Sequence, residues 1–123
     1  MERKNKALNG EVSAAVGQSL IARGGRVLHY HRPDGEMGFL SQVAGQVVRK
    51  LPDAIILLTA SDAGGEGVFI LLGPDSIIEA IGGEVATALH GRGGGRGGRY
   101  QGRASGLNRV EEAMTLLNAA DPS

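Results

Sequence analysis

The chain has 123 residues, no cysteine, and thirteen basic against thirteen acidic residues, so its formal net charge is zero. That length fits one domain able to bury about two-thirds of its unfolded surface. Disulfides and thiolate zinc sites are excluded, and so is long-range steering by the molecule as a whole. With only two Phe, two Tyr and no Trp, the core must be built from Ile, Leu, Val and Ala. No apolar run approaches the ~18 residues of a membrane span, and the opening MERKNK leads into no signal core. A cytoplasmic protein with no membrane partner is expected.

Residues 1–25 are set apart as an N-terminal amphipathic helix, because Leu8, Val12, Ala15, Val16 and Leu20 recur at helical spacing. This helix either docks on the rest of the chain or pairs with a second copy as a homodimer. Residues 26–123 form the domain proper. RVLHYH (26–31) reads as a strand, closed by the turn residues Pro33, Asp34 and Gly35. Met37, Leu40, Val43, Ala44, Val47 and Leu51 then share one helical face, stopped by Pro52. AIILLT (54–59) and VFILL (68–72) are near-continuous apolar runs of strand length, the pattern of strands buried on both faces. The SDAGGEG turn between them predicts an antiparallel hairpin, and the strand–helix–strand before it predicts a right-handed parallel crossover. Gly73-Pro74-Asp75 opens another helix with Ile77, Ile78, Ile81, Val85 and Leu89 inward and a break or kink at Gly82-Gly83. Ser105 is the expected N-cap of a last helix carrying Leu107, Val110, Ala113, Met114 and Leu117. The fold class is therefore α/β: a small mixed sheet of three or four strands flanked by helices.

Between the last two helices lies GRGGGRGGRYQGRAS (91–105), with four arginines among seven glycines. Five arginines and no acid fall within 91–109, a local positive patch on a neutral body. The tract reads as a loop whose glycines take positive φ, whose amides form an anion nest, and whose guanidinium forks suit phosphate oxygens. Arg92, Gly93, Gly94, Gly95, Arg96, Arg99, Tyr100, Gln101 and Arg103 are the expected nucleic-acid-binding residues. Tyr100 either stacks on a base or anchors the loop to the core, and Gln101 either meets a base edge or braces the loop.

The blocks HRPDGEM (31–37), ILLTASDAGGEGVFILLGP (56–74) and GRGGGRGGRYQGRAS (91–105) resemble, in order, the C-terminal domain of free-standing alanyl-tRNA editing proteins related to alanyl-tRNA synthetase. The last block is similar to the glycine-rich signature of the DHH-associated domain. The motif falls on Gly91, Arg92, Gly93, Gly94, Gly95, Arg96, Arg99, Gln101 and Gly102. The resemblance implies a tRNA-binding domain, with tRNA(Ala) as partner, in a protein that hydrolyses mischarged seryl-tRNA(Ala). It also implies that the zinc-dependent chemistry lies in an N-terminal domain with HxxxH and CxxxH ligands. This chain has neither pattern, so it is expected to hold no cofactor and no catalytic residue, and not to be an enzyme on its own. The phosphoesterase branch carries a His after its glycines, and Arg96 stands near that place here.

Two other readings stay open: a dimerisation or structural module, and the substrate-clamping domain of a DHH-type phosphoesterase. His29 and His31 alternate on one strand and face the same side, but without a third ligand they read as structural rather than metal-binding. Asp62 and Glu66 read as turn residues rather than an acid–base pair.

Overall fold

The computed structural model describes residues 15–22, 26–33, 37–61, 67–105 and 110–120. A first helix is described over 15–22 (α1). It is followed by β1 (Val27–Pro33), α2 (Met37–Lys50), β2 (Ile55–Ser61), β3 (Gly67–Leu72), α3 (Asp75–Ala88), β4 (Gly91–Arg96), β5 (Arg99–Ala104) and α4 (Val110–Ala120). The sheet runs β1-β2-β3-β5-β4. β1 and β2 are parallel, joined by the α2 crossover, and every other pairing is antiparallel.

β2 is the centre of the domain because both of its faces are covered. Ile56 and Leu58 join Ile70 and Leu72 of β3 under Leu20 of α1 and Leu40, Val43 and Val47 of α2. Ile55 and Leu57 join Phe69 and Leu71 of β3 under Ile78, Val85 and Leu89 of the α3 segment and Leu117 of α4. A strand with an apolar core on each side needs apolar residues at every position, which is why AIILLT shows no alternation. The described turns of the N-terminal helix dock on this chain, with Leu20 2% exposed and Val16 packed on the same core. The remainder of the 1–25 segment, the 62–66 turn and residues 106–109 lie outside the described residues; Ser105, the expected N-cap, is described with its hydroxyl donating to His90 O, and α4 is described from Val110.

The mixed sheet and flanking helices are as the sequence indicates, with a correction in the glycine–arginine tract. It is not a loop: it forms β4 and β5, a hairpin closed by the two residues Gly97 and Gly98. Gly97 takes φ +61, positive φ at the first central residue, as in a type II′ hairpin turn. Among the described residues it is the only glycine with positive φ, so the expected nest of alternating conformations is not formed. The glycines serve a different constraint, close backbone approach. A Cβ at Gly91, Gly93 or Gly95 would strike the carbonyl of Arg103, Gln101 or Arg99, and one at Gly102 would strike that of Arg92.

The helix α3 also runs unbroken through Gly82-Gly83, where a break or kink is expected from the sequence, so the break is not formed. Tyr100 explains the first of the pair: a Cβ on Gly82 would stand 2.5 Å from its ring. Gly83 has nothing within 4 Å of the same position. The two should therefore respond oppositely to alanine. Gly83→Ala should stabilise by about 0.5–1 kcal/mol, the ordinary helix-propensity gain. Gly82→Ala should lose stability despite that gain, and urea midpoints of the two variants test the difference.

Candidate nucleic-acid interface

Alternation along the hairpin sorts the tract into two faces. Arg92 pairs with Arg103, Gly94 with Gln101 and Arg96 with Arg99, in register with Val68, Ile70 and Leu72 of β3 on the α2 side of the sheet. Gly91, Gly93 and Gly95 pair with Ala104, Gly102 and Tyr100 on the α3 side. One face is thus lined with arginine and glutamine, while the other is bare backbone and small residues against which α3 can lie.

Tyr100 belongs to the second face. Its ring stacks on Phe69 with centroids 6.1 Å apart and an interplanar angle of 20°, and its hydroxyl donates to the Gly93 carbonyl at 3.1 Å. Of the two roles the sequence leaves open for Tyr100, the structure gives it that of anchor. On the arginine face, Arg99 is held in place: its Nε donates to Gln101 Oε1 at 2.7 Å, and Nη2 donates to Ser41 Oγ of α2 at 3.0 Å. Gln101 is therefore a brace. Arg92 and Arg103 are both exposed. They occupy directly opposite positions, where like charges repel.

At the open end of the hairpin, Arg92 and Arg103 border a cleft of about 770 Å³ whose other walls include Thr87, His90 and Ser105. His90 is the residue that sequence reasoning missed here. It has φ +52 and is fixed on both sides, its N–H donating to Thr87 O and its carbonyl accepting from Ser105 N and Oγ. No spacing signal marks it, because it is the junction between a helix and a strand. Ser41 was missed too, since its partner Arg99 is 58 residues away.

His29 and His31 lie on the same face, as expected, and share a hydroxyl. His29 Nε2 and His31 Nδ1 stand 3.1 and 2.9 Å from Thr59 Oγ1, and Thr59 is 1% exposed. Both imidazoles thus have a structural partner. No group of three or more His, Cys, Asp or Glu able to hold a metal stands together among the described residues. Among the described residues, no helix is long and apolar enough to cross a membrane.

The architecture is that of the C-Ala domain class: the crystal structure of the C-Ala domain from Aquifex aeolicus alanyl-tRNA synthetase matches with a TM-score of 0.67 at 20% identity, covering 79% of this chain and 91% of that one. At that identity the likeness is one of fold. Sequence carries the assignment further. The chain is 30% identical over 119 residues to alanyl-tRNA editing protein Aarsd1 of Danio rerio, which spans 95% of this chain and 28% of that protein. It is 37% identical over 93 residues to the Mus musculus protein of the same name, covering 76% of this chain and 22% of the relative. Both relatives are alanyl-tRNA editing proteins, and this chain is similar to one part of them. It spans about a quarter of the length of these relatives. No family model matches it.

The opposed arginines make a stability test of the arginine face. Arg92→Glu turns a cross-strand repulsion into an attraction, so the free protein should gain about 0.2–1 kcal/mol at low salt. Added salt should shrink that gain, because both groups are exposed and screened. Urea unfolding at two ionic strengths measures both effects.

Proposed function

We propose that this chain is the tRNA-binding, non-catalytic part of an alanyl-tRNA editing protein, and that it holds phosphate oxygens on the arginine face of the β4–β5 hairpin. The observation that carries the reading is the exposed Arg92–Arg103 pair. Their guanidinium groups sit on directly opposite register positions, so one anion between them can accept from both. Arg99, already oriented by Gln101 and Ser41, extends the same face, and Arg96 occupies the register position beside it. Gly93, Gly94 and Gly95 leave the outer strand bare, so a ligand backbone can come close.

The similar proteins support tRNA as the source of the anion, since they are named for alanyl-tRNA editing. Arginine–phosphate contacts position a ligand without reading bases, so selection of tRNA(Ala) would rest on shape and on the rest of the parent protein. In this reading, hydrolysis of the mischarged ester and the zinc that serves it belong to a further domain, with this chain as the C-terminal, DHH-associated type.

Binding of a tRNA(Ala) transcript across a salt series tests the proposal. Neutralising three or four phosphates gives a log–log slope of roughly −2 to −4. Replacing Arg92, Arg99 and Arg103 together by Ala should weaken binding and flatten the slope by about two. Gly94→Glu is a second arm: its Cβ meets nothing within 4 Å, so the fold should stand while a carboxylate on the arginine face weakens binding. Equally poor binding by native and triple-variant protein at low salt would end the reading.

A further inference from the structure

β4 is an outer strand of the sheet, so among the described residues one side of its backbone has no strand partner. Which groups face that side follows from the ladder. Ser105 N donates to His90 O, which marks the 90–105 pair as hydrogen-bonded. Hydrogen-bonded and non-hydrogen-bonded pairs alternate along an antiparallel ladder. The pairs 92–103, 94–101 and 96–99 are then hydrogen-bonded, and Gly91, Gly93 and Gly95 direct their N–H and C=O groups away from β5. The glycine contacts agree, since these three β4 residues are the ones whose Cβ would strike a β5 carbonyl, whereas Gly94 has open space.

Every outward backbone position of β4 is thus a glycine, with no side chain to shield it, and Gly93 and Gly95 are exposed. The middle outward carbonyl is already engaged, because the Tyr100 hydroxyl donates to Gly93 O. Docking of another β-strand needs donors and acceptors in alternation. At its centre this edge offers a donor beside an engaged acceptor. The neighbouring face carries Arg92 and Arg103, which adds positive charge.

We propose that the free edge of β4 is a backbone-amide rail for an extended phosphodiester strand, the N–H groups of Gly91, Gly93 and Gly95 donating to successive phosphates. Outward amides two residues apart are spaced by about 6.6–6.8 Å, the order of the separation between neighbouring phosphates of a nucleic-acid strand. Arg92 neutralises the same phosphates from the adjacent face. The proposal rests on the nucleic-acid reading above and adds the atoms that make the contact and the form of the ligand, a single extended strand.

The test is titration of the ¹⁵N-labelled full chain with a short single-stranded oligoribonucleotide, following glycine amide resonances, alongside tRNA binding by the same preparation. The Gly91, Gly93 and Gly95 amides should shift much further than that of Gly94 and saturate together. An ester in place of the Gly93 amide removes the donor without adding an atom, and should weaken oligonucleotide binding about tenfold with the fold intact. Retained tRNA binding with no preferential shift at the three glycines would overturn the rail and leave the arginine-face reading standing. Shifts at the three that follow protein concentration without RNA would overturn it in favour of edge pairing with a second copy. Loss of all RNA binding would overturn both.

Discussion

The seating of Tyr100 holds the hairpin in place. Its ring lies between Phe69 of β3 and the bare backbone of Gly82 in α3, and its hydroxyl reaches across to Gly93 of the outer strand. One side chain therefore ties β3, α3, β4 and β5 together. Glycine in the middle of a helix ordinarily costs about 1 kcal/mol relative to alanine, and here it is what lets the helix and the hairpin approach. Because Tyr100 is drawn to one side of the sheet, its neighbours Arg99 and Gln101 are turned to the other, and the arginine face follows from that alternation.

The central part of this architecture was legible in the sequence because it is written in apolar residues. The run at 54–59, the run at 68–72 and the helical spacing of Leu40, Val43 and Val47 each match the element observed. The glycine–arginine tract was misread for a physical reason. Glycine is depleted in strands, so seven glycines outweighed the period-two placement of Gly91, Gly93 and Gly95 against Arg92 and Arg96. What makes these residues strands is not their propensity but cross-strand contact too close for any side chain. The arginines were found by composition. Their division onto one face, with Tyr100 on the other, needed the register, and His90 and Ser41 entered only through contacts distant in sequence or without a pattern.

Two conflicts that would be faults in a purely structural hairpin become intelligible together. Arginines stand opposite each other where opposite charges would pair better, and an outer strand is left bare where lysine, proline or a bulge commonly protects it. Departures from local rules of this kind are expected where a sequence serves a ligand rather than its own stability. Similarity to alanyl-tRNA editing proteins over about a quarter of their length is consistent with the proposed division, in which one part holds the ligand and another acts on it.

Glycine- and arginine-rich stretches in other settings are flexible chains that become ordered only on contact with RNA, and each ordered residue then carries an entropic penalty of about 1–2 kcal/mol at the moment of binding. In this domain the same composition is woven into a sheet, with Arg99 fastened to a helix and the outer strand fastened by a phenol. The ordering occurs during folding, away from the ligand. On the proposed reading, association should therefore show a small entropy change from the protein side and little dependence on chain flexibility, so that discrimination falls to geometry: a ligand whose phosphates do not match the rigid spacing gains little from the charge alone.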